Sequence, residues 1–498
     1  MRVLLIFPPT TIYPEEDPSL VFPLGIGYLA AVLEQRGYEV HVIDCIAEKE
    51  ELTKKEDGTF HVGLTWSEIR EKIAKINPDV VGISCLCTAD YINAVMVSGI
   101  VKEIDDIPVI FGGAHATALP KETLQNKNVD YVILGEGEYS LPALLESIGD
   151  KSALRRVDGI GFKENSKLNI KPITKYIEDL DSLPFPARHL FPMEKYLHTR
   201  RVHNYIAKRQ PVAQMITSRG CPLKCTFCAI HHIWGRKWRF RTPKNVVDEI
   251  EHLIREYCIR EIHFEDDNIS LNKKRMMEIC DEIIKRKLDI TWTAPNGMWV
   301  QTLDRELLKK MQDSGCYRVS LGIENGNQQF LTNVVKKNMN LEKVRTVVKK
   351  LKELKIKSTG FFMVGIPGET KETILETIKF AKSLDLDDAI FSIYVPYPGA
   401  ELYDISISRG YLPSNIDYYR FKNKYATLST EHISAKQVEY LRNRALLEFQ
   451  INKLIKHPVN YFTTAENYRT IRRYFKRFVI GKLHNYMLVP DIYEKTGD

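Results

Sequence analysis

No stretch of this 498-residue chain stays apolar long enough to cross a bilayer as a helix. The longest apolar runs, such as Val80–Leu86, are strand-length and are broken by Gly82 and Ser84. The opening MRVLLIFPPT has no small-residue cleavage site, so it predicts a first strand and not a secretory signal. Cysteine is too sparse for a disulfide scaffold: nine residues, an odd count without framework spacing, point to a reducing cytoplasm. Strong charge is lacking too, since a net +7 over this length does not by itself indicate nucleic acid binding. What is present is an ordinary globular composition, 44% hydrophobic, and length for two or three domains.

Residues 1–150 alternate strand-like and helical patterns. Strands are predicted at Val3–Phe7, Glu39–Ile43, Val80–Ser84, Pro108–Phe111 and Tyr131–Leu134. Helices are predicted at Gly25–Arg36, Glu68–Ile76, Tyr91–Ile104 and Glu138–Ser147. Short β-rich runs buried on both faces predict an α/β doubly wound parallel sheet of five strands. Ligands of such sheets bind at the carboxyl ends of the strands. Those ends are Pro8–Thr10, Cys85–Thr88, Gly112–Thr117 and Gly135–Glu138, and the paired glycines let a bulky ligand approach the backbone. Cys85 and Cys87 read most simply as small buried hydrophobes.

Residues 151–205 read as a linker: an edge hairpin at Val157–Ile160 and Leu168–Pro172, then LDSLPFPARHLFPMEKY, whose prolines predict an extended surface connector. From 206 to 410 the β-then-α pattern returns. Strands are predicted at Ala213–Thr217, Glu261–Glu265, Thr291–Ala294, Arg318–Leu321, Lys357–Val364 and Asp388–Tyr394. Helices are predicted at Pro243–Tyr257, Lys273–Lys285, Arg305–Ser314, Leu341–Leu354 and Lys371–Ser383. Six such repeats predict a parallel barrel whose working residues lie on the loops after the strands. Residues 411–498 are helical, with runs at Ser434–Lys456 and Asn467–Leu483, the second amphipathic and basic. That second helix either closes the barrel or rests on a membrane or lipid surface through residues 467–483.

The loop after the first barrel strand is ITSRGCPLKCTFCAI, with Cys221, Cys225 and Cys228 spaced C-x3-C-x2-C. Three thiolates on one short turn suit an iron–sulfur site with one iron left without a protein ligand. A zinc knuckle completed by His231 or His232, or a set of buried thiols, is the plainer alternative. The spacing, with Phe227 before the last cysteine, resembles the signature of the radical S-adenosylmethionine (SAM) superfamily. That resemblance implies a [4Fe–4S] cluster on the three cysteines, SAM chelating the open iron, and reductive cleavage to a 5′-deoxyadenosyl radical. It also implies the partial (β/α)6 form of the barrel. Further pieces, FPLGIGYLAAVLEQRGYEVHVID, DVVGISC, FGGAHAT, LGEGE and the DSLPFPA connector, resemble the cobalamin (B12)-binding radical SAM enzymes, the class B methyltransferases and the anaerobic Mg-protoporphyrin ester cyclases. This implies a flavodoxin-like (Rossmann-type) cobalamin domain at residues 1–150. The Asp-x-His-x-x-Gly motif that supplies a cobalt ligand in many cobalamin domains is absent after the first strand. A sheet that binds no corrinoid and only packs on the barrel is the alternative.

The resemblance assigns further residues. Gly112, Gly113, His115, Thr117, Gly135 and Glu136 are placed at cobalamin; His115 has the alternative role of a helix cap. Glu265 in FEDDN, Ser320 and Glu324 in VSLGIENG, Gly365 and Ile366 in GIPGE, and Tyr394 are placed at SAM. Asn268 or Ser270 would cap the helix after FEDDN, and GIPGE doubles as a strand-to-helix turn with Glu369 and Thr370 at the helix start. The run HHIWGRKWRFR (His231–Arg241) reads as a flap over the site or as a nucleic-acid surface, the flap being favoured. The implied function is a radical enzyme acting on an unactivated carbon of a small molecule, by C-methylation, with an external electron donor of the flavodoxin or ferredoxin type and no nucleic acid. A radical SAM ring-forming or ring-contracting enzyme is the runner-up, and a non-catalytic corrinoid-binding or redox-sensing protein is the alternative of another class.

Overall fold

The computed structural model describes residues 1–458, apart from Glu15, Asp17, Ser19, Ser166, Arg200, His203, Asn204, Ser414 and Asn415. The basic helix expected at Asn467–Leu483 lies outside the described residues. The chain divides into two compact units. One comprises Met1–Pro222, Ala229–Asn296 and Lys310–Tyr317; the other comprises Leu223–Cys228, Gly297–Lys309 and the chain from Arg318 onward.

The first unit opens with ten strands: β1 (Arg2–Phe7), β2 (Thr10–Ile12), β3 (Glu39–Asp44), β4 (Leu52–Lys54), β5 (Phe60–Val62), β6 (Val80–Ser84), β7 (Val109–Gly112), β8 (Tyr131–Ile133), β9 (Ile160–Glu164) and β10 (Lys167–Ile170). The main sheet has the order β10-β9-β8-β7-β6-β1-β3, with β2, β5 and β4 forming a small antiparallel sheet of their own. The five expected strands are all there and parallel, but the sheet has seven. The hairpin β9–β10 adds antiparallel to β8, with Tyr131 opposite Phe162, so it extends the sheet instead of starting a linker.

Side-chain alternation along β1 explains the double winding. Val3 and Leu5 pack with Ile26, Ala30, Leu33, Leu141 and Leu144 from the helices of one face. Leu4 and Ile6 pack with Ile69, Ile73, Val97 and Val101 from the other. Each fully buried side chain of this kind is worth about 1.5–3 kcal/mol, so both faces commit the strand to its register.

The proline-rich segment does not run over the surface. Leu180 and Leu183 pack with Tyr28 and Val32, and Ala187, Phe191 and Tyr196 join the core against Phe22. The Phe22 ring lies 4.7 Å from Phe191 and 5.3 Å from Tyr196. Prolines impose an extended path that leaves few donors to satisfy, and here that path turns its apolar side chains inward.

The barrel strands are Val212–Met215, Glu261–Phe264, Thr291–Met298, Cys316–Glu324, Lys357–Val364 and Asp388–Ile393, in chain order. The first three pair in parallel in one unit and the last three in the other. The helices between them form where the periodicity predicts, including Pro243–Tyr257, Lys273–Lys285 and Lys371–Ser383. Thr242 caps the first of these with proline at its start, and Thr370 caps the third in a capping box. Asn272 caps the second through the Arg275 N–H, which replaces the expected Asn268 or Ser270. In the second unit the helix Ala435–Lys456 buries Val438, Leu441, Ala445 and Phe449, and Arg442 donates to the Phe391 carbonyl at 3.0 Å. Among the described residues no helix is long and apolar enough to cross a membrane.

Candidate functional site

In the first unit the cysteine loop is preceded by a two-stranded ribbon in which Ser218–Arg219 pairs antiparallel with Arg239–Phe240. Gly220 has φ +84°, and a Cβ there would sit 2.2 Å from the Lys237 carbonyl oxygen, so only glycine passes. The Cys221 N–H reaches the Gly235 carbonyl at 3.4 Å. Within the second unit, Thr226 is held from three directions. Its N–H donates to Val335 O at 3.0 Å and its hydroxyl to Val334 O at 2.8 Å, while its carbonyl accepts from Leu402 N at 2.9 Å. The Cys228 N–H closes the turn onto Cys225 O at 3.2 Å.

None of the three thiols is in a disulfide, and each is half-buried. That donor set fits a [4Fe–4S] cluster: three soft ligands on a fixed non-helical turn, each partly open to an incoming group. Among the described residues no three His, Cys, Asp or Glu side chains converge as ligands of one metal ion. A cube assigns each thiolate to a different iron, so its ligands need no such convergence.

Glu136 takes a part the sequence did not suggest. It is buried, and it accepts from Arg219 Nη1 at 3.0 Å, from Arg239 Nη1 at 2.8 Å on both oxygens, and from Ile177 N at 2.8 Å. Glu138 accepts from Arg219 Nη2 at 2.5 Å. Two guanidiniums thus balance two carboxylates out of water, and Arg219 also lies 4.8 Å from the Trp234 ring centroid. The carboxylate expected at cobalamin fastens the loop after β8 to both strands of the ribbon. Arg219 and Arg239 lie in segments the sequence marks for other reasons, the cysteine loop and the basic run, but nothing local indicates that they pair with Glu136. Arg241 of the same basic run is likewise internal, bound to Glu249 and Asn245. Arg239 and Arg241 of His231–Arg241 are therefore buried structural charges, whereas Arg236 and Lys237 are exposed.

At the carboxyl ends of β6 and β7, Leu86 is 55% exposed, and nothing lies within 4 Å of where a Gly112 Cβ would stand. An exposed apolar side chain beside open glycine backbone suits the flat face of a corrinoid. Gly113 has φ +100°, and a Cβ would meet the Cys85 carbonyl oxygen at 2.5 Å. Thr117 joins two of the loops, donating to Gly113 O at 2.8 Å and accepting from Gly135 N at 2.9 Å. His115 is buried and stacked on Tyr91 at 4.0 Å, with Nδ1 3.4 Å from Thr88 Oγ1. Burial pushes its pKa down to about 4 and keeps it neutral. The helix Ala114–Ala118 begins at Gly113 with no side-chain cap, so the capping role for His115 is not realised. After β1, where the Asp-x-His-x-x-Gly motif is absent, the chain forms β2 and Thr10 donates to Asp90 at 2.6 Å.

After the second barrel strand, Glu265 is half-buried and its carbonyl accepts from Asn296 Nδ2 at 2.9 Å. Asp266 is buried and accepts from Thr217 N, Thr217 Oγ1 and Ser218 Oγ at 3.0, 2.7 and 2.5 Å, so it braces the approach to the cysteine loop. Burial, and then Asp266, push Asp267 up to about 7.

In the second unit, Ser320 is fully buried in its strand. Glu324 has φ +70° at a register shift and pairs with Lys337 at 2.7 Å, the two side chains 12% and 10% exposed. Burial opposes the Lys337 ammonium, yet Glu324 and then the Cys225 thiol hold its pKa above the ordinary lysine value. Lys337 was not singled out in the sequence, where it is one lysine of a pair in a polar stretch. Gly365 has φ +80°, and a Cβ would lie 2.6 Å from Val438 Cγ1. Ile366 is buried and its N–H donates to Glu369 at 3.0 Å, while Glu369 also accepts from Asn325 Nδ2 at 2.7 Å. Burial pushes Glu369 up to about 7. GIPGE is thus a braced strand-to-helix turn. Tyr394, expected beside SAM, is 1% exposed and forms part of the core.

Family models for the radical SAM superfamily and for the B12 binding domain match residues 215–381 and 15–145. An uncharacterized methyltransferase of Pyrococcus horikoshii is 33% identical over 91% of this chain and 93% of its own length. The cytidylyl-2-hydroxyethylphosphonate methyltransferase of Streptomyces wedmorensis is 33% identical over 86% of each chain. An anaerobic magnesium-protoporphyrin IX monomethyl ester cyclase of Rubrivivax gelatinosus is 32% identical over 81% of this chain and 69% of its own. In fold, the chain is similar to the radical SAM methyltransferase TsrM from Kitasatospora setae, with TM-score 0.65, 18% identity, and 83% and 77% of the two chains covered. It is also similar to the cobalamin-dependent radical SAM enzyme OxsB, with TM-score 0.69, 16% identity, and 98% and 73% covered. Two relatives at one-third identity over nearly the whole length, with both family models in register, settle the assignment: this chain belongs to the cobalamin-binding radical SAM enzymes, whose cofactors are a [4Fe–4S] cluster, SAM and cobalamin.

Proposed function

We propose that this enzyme methylates an unactivated carbon of a small molecule. The observation that carries the reading is the full-length likeness, at 33% identity, to two proteins named as methyltransferases. When bound, the cluster and SAM supply a 5′-deoxyadenosyl radical that abstracts a substrate hydrogen, and cobalamin supplies the methyl group. The chain's own residues bind, orient and exclude water. Cys221, Cys225 and Cys228 hold the cluster; Glu265, Ser320, Glu324, Gly365 and Ile366 surround SAM. Gly112, Gly113, Thr117 and Gly135 shape the corrinoid shelf, and neutral His115 packs beneath it. In this reading residues 1–150 carry the corrinoid, 206–410 the radical chemistry and 411–498 the choice of substrate, with 151–205 joining them. An external one-electron donor of the flavodoxin or ferredoxin type reduces the cluster, and nine cysteines without the spacing of a disulfide framework support a reducing cytoplasm as the setting.

The likeness to the Rubrivivax gelatinosus cyclase supports a second reading, radical ring formation. Anaerobic incubation with SAM and dithionite tests the whole class, because a protein that only binds corrinoid or senses redox state releases no 5′-deoxyadenosine. Methyl-labelled SAM then divides the two chemistries: label in the product means methyl transfer, and unlabelled product means cyclisation. Cys225→Ala is expected to abolish SAM cleavage, and persistent cleavage would refute the cysteine assignment.

A further inference from the structure

We propose that Lys337, held beside the cysteine turn and balanced by Glu324, sets the reduction potential of the cluster. The inference rests on the cluster assignment above, and all the residues it uses lie in the second unit. Thr226, between Cys225 and Cys228, is bonded through both its N–H and its hydroxyl to the backbone of Val335 and Val334. The segment leading into Lys337 is therefore stapled to the turn that carries two of the three thiols. The Lys337 N–H donates to Leu331 O at 3.0 Å, and Met339 N donates to Lys337 O at 2.8 Å, so the lysine's backbone is fixed on both sides. Its ammonium meets Glu324 at 2.7 Å, above Gly322, where an added Cβ would stand only 3.0 Å from Nζ. Cys225 and Cys228 both interact electrostatically with it.

One-electron reduction adds a negative charge to an iron–sulfur cluster, the electron coming from the external donor. A buried cation nearby stabilises that charge and a buried anion opposes it, and net charge and burial are among the quantities that set cluster potentials. Lys337 and Glu324 should therefore act with opposite signs, which a merely structural role for either does not require.

The test is an EPR-monitored redox titration of the full-length, anaerobically reconstituted protein without SAM or substrate, so that any effect on SAM binding is set aside. Iron and sulfide are counted on each sample. Lys337→Gln is expected to disfavour reduction about tenfold, a shift of about 59 mV to more negative potential for one electron. Lys337→Arg is expected to stay near wild type, and Glu324→Gln to shift the potential in the positive direction. Should Lys337→Gln lose iron, Glu324→Gln carries the test, because removing the anion leaves the cation in place. A wild-type sample without a [4Fe–4S] signal would defeat the cluster assignment itself. Intact signals with unchanged potentials, or shifts of one sign in Lys337→Gln and Glu324→Gln, would overturn the proposal alone.

Discussion

With Glu136 removed, Arg219 keeps Glu138, while Arg239, 3% exposed, loses its carboxylate and keeps the Ile177 and Trp234 carbonyls. Leaving a buried charge uncompensated costs about 3–5 kcal/mol, so Glu136→Ala should lower the urea midpoint markedly, and a surface glutamate control should not. This role could not be read from the sequence, because Arg219 and Arg239 stand 83 and 103 positions from Glu136 and no local periodicity connects them. Asp44 gives a pH signature of its own. Burial pushes it up to about 6 against the Tyr196 hydroxyl and the Ala47 and Ile46 N–H groups. An unfolded aspartate titrates at about 3.9, so the folded state keeps its proton to higher pH than the unfolded state does. Stability therefore falls as pH rises from about 4 to about 6 and levels off above that. Asp44→Asn should flatten this part of the profile, as measured by urea midpoints at steps from pH 4 to 7; an unchanged slope would show that Asp44 ionises freely.

The turn from Cys225 to Cys228 depends on Thr226 rather than on the cysteines. Thr226→Val removes the hydroxyl bond to Val334 and leaves that carbonyl without this donor, a cost of about 1–3 kcal/mol. The expected outcome is a reconstituted protein with less iron per chain at unchanged far-UV circular dichroism. Gly220→Ala should be harsher on the same readout, since the added methyl meets the Lys237 carbonyl in a backbone conformation unsuited to alanine. Elements such as Pro243–Tyr257 and Lys357–Val364 were legible in full, because their apolar spacing is the spacing of their buried faces. Legibility failed where tertiary packing overrode a local signal. The hairpin Ile160–Glu164 and Lys167–Ile170 joined a sheet edge, and the proline run entered the core. The cap moved from Asn268 or Ser270 to Asn272, where the helix starts only after an extra loop residue pair. Of the site, the cysteine spacing could be read outright, whereas Thr226, Lys337 and Asp266 act through partners that only the folded chain brings near.

For the whole protein, ligand linkage offers a check on the corrinoid shelf. A ligand that binds only the folded state stabilises it by about 2.7 kcal/mol at a hundredfold excess over its dissociation constant. Added hydroxocobalamin should therefore raise the unfolding temperature of cobalamin-free protein, and Gly112→Leu, which fills the open backbone beside Leu86, should abolish the rise without lowering the starting value by as much. An unchanged transition in the parent protein would favour a sheet that only packs on the barrel. Glu136 serves an arginine upstream and an arginine downstream of the cysteine turn, so a descendant that loses the acid leaves Arg239 without a carboxylate and Arg219 with Glu138 alone. In an alignment of descendants, the glutamate and its two arginines should persist together or disappear together, and sequences keeping only one of the three should be rare.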